Sequence, residues 1–130
     1  MVKLHHVGIV CSEQDYLQQR KLLEIIQPSQ HVISKHVPEF KCTCHLLGNI
    51  EWVIPDSDSV LQSWLESQGR PSIHHFAIIV DDIQEVCQKL TLLGIKLVTE
   101  KPVNGVDNIQ VNFIHPTVLG VMVELVQVIH

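Results

Sequence analysis

The chain has 130 residues, of which 45% are hydrophobic and 18% are charged, and its formal net charge is −5 at pH 7. This length is typical of one domain, and the composition is too apolar for an intrinsically disordered chain. The negative charge and the lack of a Lys/Arg cluster argue against nucleic acid or an anionic membrane as a partner. A small molecule is therefore the expected partner.

The N-terminal region indicates a strand rather than a targeting segment. Met1 to Lys3 leads directly into a strand pattern, so no signal peptide is expected. The longest apolar runs, such as Val118 to Val126, are too short to span a bilayer and contain a glutamate. The cysteines lack CxxC spacing and are expected to be reduced thiols without an assigned role; they are Cys11, Cys42, Cys44 and Cys87. We therefore expect a cytoplasmic protein.

One short motif occurs twice in the chain. Leu4 to Val10 reads LHHVGIV, and Ile73 to Val80 reads IHHFAIIV. A helix pattern follows each copy, with Ser12 as the predicted N-cap of the first helix and Asp82 at the start of a capping-box pattern in the second. The repetition predicts that the chain contains two copies of one structural unit.

Three strand patterns follow each predicted helix. The helices end at turn signals, around Pro28 and at Gly94. The strand patterns lie at His31 to Ser34, Lys41 to Leu47 and Ile50 to Ile54 in the first copy, and at Lys96 to Thr99, Asn108 to Ile114 and Val121 to Val128 in the second. Pro55 to Ser59 is a predicted linker, followed by a short helix from Val60 to Ser67 that ends at Gly69. Two such units can cover each other's sheet faces and enclose a cleft.

Alternation along a strand selects one histidine of each His-His pair for this cleft, because adjacent side chains point to opposite faces. One face of the first copy carries His6 and Gly8, and the matching face of the second carries His75 and Ala77. The opposite faces are bulky and suit helix packing. The small residues leave room for a site, so we predict that His6 and His75 face the cleft and that the histidine before each points away from it.

A glutamate interrupts the apolar run of the last strand in each copy. These residues are Glu51, within Ile50 to Ile54, and Glu124, within Val121 to Val126. A buried carboxylate is strongly unfavourable unless a cation or hydrogen-bond donors compensate it. Two imidazoles and two carboxylates form a ligand set for Zn, Mn, Fe, Co or Ni, in which the carboxylates neutralise a divalent ion.

Each of these four residues also has a simpler explanation when it is taken singly. A strand histidine is more often a hydrogen-bonded structural residue, and a lone strand glutamate usually faces water. The duplication favours the ligand set, because chance does not readily repeat both residue types at matching strands. The predicted fold class is α+β, a single domain of two tandem βαβββ modules that form a curved mixed sheet around a metal-binding cleft. Module one spans residues 1–55, a linker with a short helix spans 56–70, and module two spans 71–130.

The remaining histidines show no paired spacing and are expected at the surface or in hydrogen bonds; they are His31, His36, His45, His115 and His130. We keep only His36 in reserve for a functional role. The two tryptophans, Trp52 and Trp64, are expected in the core or in the cleft wall.

The chain resembles the vicinal oxygen chelate superfamily over essentially its whole length; this superfamily includes glyoxalase I, methylmalonyl-CoA epimerase, extradiol dioxygenases and fosfomycin-resistance proteins. The segments that look most like methylmalonyl-CoA epimerase are Ile73 to His75, Val80 to Ile83, Leu47 to Glu51, Phe113 to Pro116 and Val123 to Gln127. By this resemblance, one divalent metal ion would bind to His6, Glu51, His75 and Glu124.

The chain departs from the epimerase pattern near the expected substrate mouth. Val37 to Lys41 resembles the place where the family carries an additional acidic residue, which is Glu39 here. The hairpin between this segment and Glu51 is about two residues shorter on each side of Gly48. The segment Pro116 to Gly120 lacks the usual glycine pair. These departures bear on the substrate more than on the fold.

The resemblance implies a metal-dependent isomerase that removes a proton next to a carbonyl of an acyl-CoA thioester such as methylmalonyl-CoA. Glu124 is then one catalytic base, Glu39 is the first candidate for a second base, and His36 is the next. A homodimer is a further expectation. The alternatives are a glyoxalase I-type lyase that acts on a hemithioacetal and a non-enzymatic small-molecule binding or resistance protein. A ring-cleaving dioxygenase fits less well, because Glu51 would fill a position that iron needs open.

Overall fold

The structure is a computed structural model, and it describes residues 1–28, 31–115 and 122–130. Within these ranges the chain forms eight strands and three helices. The first half contains β1 (Leu4–Val10), α1 (Glu13–Ile26), β2 (Val32–Val37), β3 (Cys42–Leu47) and β4 (Ile50–Pro55). The second half contains β5 (Ser72–Ile79), α3 (Ile83–Leu92), β6 (Val103–Asn104), β7 (Ile109–Ile114) and β8 (Met122–Val128), and α2 (Val60–Gln68) lies between the halves.

The strands form one mixed sheet in the order β2-β3-β4-β1-β5-β8-β7-β6. The motif strands β1 and β5 pair antiparallel at its centre. On either side, β1 pairs parallel with β4 and β5 pairs parallel with β8. Antiparallel pairs complete each half, and the sheet curves until it is nearly closed. The predicted fold class, two βαβββ units around a cleft, is confirmed.

Local sequence signals explain where the helices begin and end. The Ser12 hydroxyl accepts a hydrogen bond from the Asp15 amide at 3.1 Å, and the Asp82 carboxylate accepts one from the Glu85 amide at 3.1 Å. Both predicted N-caps are therefore confirmed. The short helix α2 ends at Gly69, whose φ of 71° is the left-handed conformation that glycine adopts readily.

The core is divided by the sheet. On the helix side, α1 packs with Trp52 in the first half, and α3 packs with Leu125 in the second. On the concave side, one cluster draws residues from both halves, including Val10, Val53 and Val126. The concave cluster therefore joins the two halves and also packs against α2, whereas α1 and α3 each pack against one half only.

The second strand of the second half was predicted wrongly. Lys96 to Thr99 is no ladder strand; it forms an isolated bridge between Leu97 and Ile114, and the short strand β6 follows at Val103–Asn104. The Asn112 side chain explains this difference. It accepts a hydrogen bond from the Thr99 amide at 3.2 Å and donates one to the Thr99 carbonyl at 3.0 Å. At Thr99, an amide side chain thus bonds the backbone groups that a ladder would have paired. Lys96 and Val98 still form backbone hydrogen bonds, with His115 and Phe113 respectively.

Two sequence features lie outside the described residues: the segment from Pro116 to Gly120, and Val121 at the predicted start of the last strand. No helix in the described part of the chain has the length and apolar character needed to cross a bilayer. The expected cytoplasmic location stays a prediction.

Candidate metal centre and cleft

The predicted ligands lie on the four central strands of the sheet. In the strand register, Gly8 pairs with Glu51 on one side and with His75 on the other. Ala77 pairs in the same way with His6 and Glu124. All four predicted ligands are buried and at most 5% exposed. Each half contributes one histidine and one glutamate, as the duplication predicts.

The side chains of these residues converge within one chain. The Nε2 atoms of His6 and His75 are 3.2 Å apart. His6 Nε2 lies 2.9 Å from Glu124 Oε1 and 3.5 Å from Glu51 Oε1. His75 Nε2 lies 3.6 Å from Glu51 Oε1 and 3.9 Å from Glu124 Oε1. We call this group, His6, Glu51, His75 and Glu124, the donor cluster.

Three members of the donor cluster, His6, Glu51 and His75, have ligand atoms that all lie within 4.8 Å of one another and could hold one metal ion. Ligand atoms that bind one ion at about 2.0–2.2 Å lie about 2.8–3.6 Å apart in tetrahedral or octahedral geometry. The observed separations, from 2.9 to 3.9 Å, lie close to this range. In addition, Glu124 Oε1 is buried and accepts no hydrogen bond within residues 1–28, 31–115 and 122–130, because its contact with His6 lacks hydrogen-bond geometry. A cation would satisfy this carboxylate oxygen.

The charges of the cluster also favour a cation. Burial lowers the pKa of His6, but its interactions with Glu124 and Glu51 outweigh burial and raise that pKa to about 10. Burial raises the pKa of Glu51, whereas His6 and His75 together lower it to about 2. Without a metal, the two carboxylates therefore hold a proton on His6. A divalent ion would supply positive charge in its place.

The donor cluster opens into a cavity of about 740 Å³ on the concave side of the sheet. Glu51, His75 and Glu124 line it, and residues from both halves form its walls. Most of the wall is apolar; examples are Val37, Phe40, Val53, Leu61, Trp64, Val111 and Phe113. This size suits a small organic ligand. Trp64 occupies the cleft wall and Trp52 the core, as expected of the two tryptophans.

The two candidates for a second base lie in different places. Glu39 is exposed, follows β2 and lines the cavity. His36 is not among the residues that line it, and its Nε2 atom lies 2.9 Å from the Asp56 carboxylate. Glu39 is therefore better placed than His36 to meet a ligand in the cavity.

The sequence profile of the Glyoxalase/Bleomycin resistance protein/Dioxygenase superfamily matches residues 5–113. The chain belongs to this superfamily. No curated protein is significantly similar to it in sequence.

Several solved structures share its fold. A methylmalonyl-CoA epimerase from Mycobacterium tuberculosis is 28% identical, with a TM-score of 0.81 over 98% of this chain and 88% of that one. A hypothetical protein from Bacillus halodurans is 26% identical, with a TM-score of 0.79 over 99% and 96%. A variant of Streptomyces coelicolor methylmalonyl-CoA epimerase in complex with 2-nitronate-propionyl-CoA is 21% identical, with a TM-score of 0.83 over 100% and 99%. At that identity, the last likeness shows the fold alone.

Strict alternation fails in the central strands of this superfamily member. The pairing of β1 with β5 contains two register shifts, one between Leu4 and His6 and the other between Gly8 and Ile9. As a result, His5 on β1 and His74 on β5 have no partner residue in the pairing of these two strands, which is the pattern of a β-bulge. The prediction that His74 points away from the cleft is wrong, because its ring lines the cavity and contacts Trp64 and Phe113.

The position of the His75 ring explains why the residue opposite it on β1 is a glycine. A Cβ atom added to Gly8 would lie 2.1 to 2.6 Å from three atoms of the His75 ring. Even alanine is too large there, since non-bonded carbon atoms need about 3.5 Å. The space that the sequence predicted beside the histidines is thus filled by the His75 ring itself.

Sequence reasoning also missed His115, which was expected at the surface or in a hydrogen bond. It is half-buried and lines the cavity next to β7. Val111 and Phe113, two and four residues earlier, line the same cavity. Continuing the alternation of β7 by one more step would have found it.

Proposed function

We propose that this protein is a metal-dependent isomerase that removes a proton next to a carbonyl group, in the manner of a methylmalonyl-CoA epimerase. The observation that carries the proposal is the donor cluster. Its four side chains converge, and three of them line a cavity large enough for a small organic ligand. The family match and the likeness to the Mycobacterium tuberculosis epimerase support it.

In this proposal, His6, Glu51, His75 and Glu124 hold one divalent ion, which is Zn, Co, Ni, Mn or Fe. When bound, such an ion stabilises the negative charge that develops on the substrate carbonyl oxygen. The protein side chains position the substrate and exclude water. The apolar walls of the cavity suit both roles, because a dry site strengthens every electrostatic interaction inside it.

Glu124 is proposed as a catalytic base. Its Oε1 atom is buried beside the cavity and accepts no hydrogen bond within the described residues, so a lone pair becomes available for a proton when Glu124 loosens from the metal. Glu39 is proposed as the second base, since it lines the same cavity from an exposed position between β2 and β3. A two-base epimerisation needs such a pair, because one base removes the proton from one face and the protonated form of the other delivers a proton to the opposite face.

We propose an acyl-CoA thioester as the substrate class. The Mycobacterium tuberculosis protein, which is 28% identical, is named a methylmalonyl-CoA epimerase. The apolar cavity wall suits an acyl group next to the donor cluster.

A glyoxalase I-type lyase is the second candidate. The same four donors would serve it, and the matched family includes glyoxalases. The two functions share the requirement to remove a carbon-bound proton beside an oxygen that chelates the metal. They differ in substrate, which is a hemithioacetal for the lyase.

The deciding experiment is proton exchange at C2 of methylmalonyl-CoA in deuterated water, with the metal content of every sample measured. We expect about one ion per chain and metal-dependent deuterium incorporation in the parent, with little of either in His6→Ala. Glu124→Gln that retains metal should exchange about 10²–10⁴-fold more slowly, because a positioned base is lost. Glu39→Gln should slow epimerisation, and Glu24→Gln, an exposed glutamate on α1, is the matched control.

The outcomes separate the candidates. Parental protein without metal, or with metal-independent exchange, would contradict the metal-dependent mechanism. Metal-loaded protein with no exchange above its metal-stripped control would reject methylmalonyl-CoA, and turnover of a glutathione hemithioacetal would then favour the lyase. Metal binding without turnover of either compound would favour a small-molecule binding protein.

A further inference from the structure

The two bulge histidines, His5 and His74, contact the ligand histidines that follow them in the same way. His5 Nδ1 lies 2.8 Å from His6 Nδ1, and His74 Nδ1 lies 2.9 Å from His75 Nδ1. The ring centroids are 5.0 and 5.1 Å apart, with interplanar angles of 79° and 86°. The chain therefore contains this ring pair twice, once beside each histidine of the donor cluster.

This repetition does not come from similar surroundings. The His74 ring also contacts Trp64 on α2 and Phe113 on β7. The described ring contact of His5 is with His6 alone. What the two positions share is the bulge, which inserts an extra residue and re-aims its side chain. A regular strand would have turned both rings to the opposite face.

A hydrogen bond between two Nδ1 atoms needs one proton and one lone pair. In the donor cluster, the Nε2 atoms of His6 and His75 face the carboxylates, so these are the atoms available to a metal. A neutral imidazole that ligates through Nε2 carries its proton on Nδ1. The proton in each pair must then belong to the ligand histidine, and the lone pair to the bulge histidine.

We propose that His5 and His74 are positioning residues, each of which accepts the Nδ1 proton of the adjacent ligand histidine and thereby holds its Nε2 toward the metal site. The proposal rests on the proposed metal site and adds to it a second layer of residues. Such partners fix the tautomer and ring orientation of metal ligands, and their removal typically weakens metal affinity about 10–100-fold.

The test compares an isosteric acceptor with an apolar residue at each bulge. In His5→Asn and His74→Asn, the side-chain oxygen takes nearly the place of Nδ1 and can accept the same proton. In His5→Leu and His74→Leu, no acceptor remains. Zinc affinity is measured by competition with a chelating dye, and nitrogen-detected NMR of the zinc-loaded protein reports the Nδ1 proton of His6 and His75. His31→Asn, at an exposed position outside the strands, is the control.

We expect each leucine variant to bind zinc about 10–100-fold more weakly, with the Nδ1 proton of its neighbour exchanging rapidly with water. Each asparagine variant should restore both properties. Leucine variants that bind zinc as tightly as the parent would overturn the proposal. Asparagine variants that bind zinc as weakly as folded leucine variants would also overturn it, because the presence of an acceptor would then make no difference.

If a leucine variant fails to fold, measurements on the parent and the asparagine variant still test whether His5 and His74 act as acceptors. A zinc-loaded parent with the proton on Nδ1 of His5 or His74 would overturn the acceptor role directly. Parental protein that binds no zinc would reject the metal site itself, which distinguishes failure of the proposed function from failure of the positioning role.

Discussion

The two halves of the molecule match on the cleft side of the sheet and differ on the helix side. Facing the cleft, His6 corresponds to His75 and Glu51 to Glu124, at equivalent places in the register. Facing the helices, Trp52 packs under α1, where the second half has Leu125 under α3. The proposed metal site requires donor atoms that converge within a few ångströms, which favours the same residue types in both halves. Helix packing requires only that the volume is filled, which many combinations achieve.

The polar residue on the helix side of the third strand shows the same divergence. In the first half, His45 stacks on Tyr16 with ring centroids 4.0 Å apart and contacts Ser34 on β2. In the second half, the corresponding position of β7 is Asn112, which bonds Thr99 in a segment outside the ladder. Strand β2 pairs with β3 along its whole length, whereas in the second half the two-residue strand β6 is supplemented by the Asn112 side chain and by backbone hydrogen bonds of Lys96 and Val98.

The largest expected difference between the halves is at the small residues of the cleft face. Gly8→Ala should displace the His75 ring, because the new Cβ would overlap it, and we expect zinc affinity to fall about 100-fold or more. Ala77→Gly, at the matching position, removes a methyl group and should leave zinc affinity near the parental value. Chelator competition measures both. Equal zinc binding by Gly8→Ala and the parent would contradict the described position of the His75 ring.

An intermediate effect is expected at the polar anchors. Asn112→Ala leaves the amide and carbonyl of Thr99 without their side-chain partner, so we expect a loss of about 2–3 kcal/mol in the free energy of unfolding. His45→Ala should lose only about 1 kcal/mol, since its contact with Ser34 is exposed to water. Urea denaturation measures both losses, and hydrogen exchange should accelerate at the Thr99 amide only in Asn112→Ala. Losses of equal size would show that the two anchors are equivalent.

The smallest effect is expected at the helix caps, where the halves should behave alike. Ser12→Ala and Asp82→Ala each remove an acceptor for a first-turn amide, which should lower the free energy of unfolding by about 1 kcal/mol. Ser12→Gly should lower it by only a few tenths. Thermal and urea unfolding measure these changes. A much larger loss in one half would indicate that its cap also supports tertiary packing.

The donor cluster could be predicted because its signal is local and occurs twice. A histidine in each motif strand and a glutamate in each last strand are visible without any knowledge of contacts. The pairing of Gly8 with both Glu51 and His75 then follows from the parallel and antiparallel neighbours of β1. The wall position of His115 was also within reach of alternation, but a lone histidine after a strand carries no duplicated signal.

The amino-acid sequence by itself determined the two βαβββ units and the helix caps, and it singled out the four residues that we propose as metal ligands, because hydrophobic period, capping chemistry and residue type are properties of short segments. Only the tertiary structure decided the positions of His5 and His74, since a bulge depends on the register between β1 and β5, which are far apart in the chain. The same holds for the segment at Thr99. The amide and carbonyl of Thr99 bond the Asn112 side chain, a partner that no periodicity within the segment can specify.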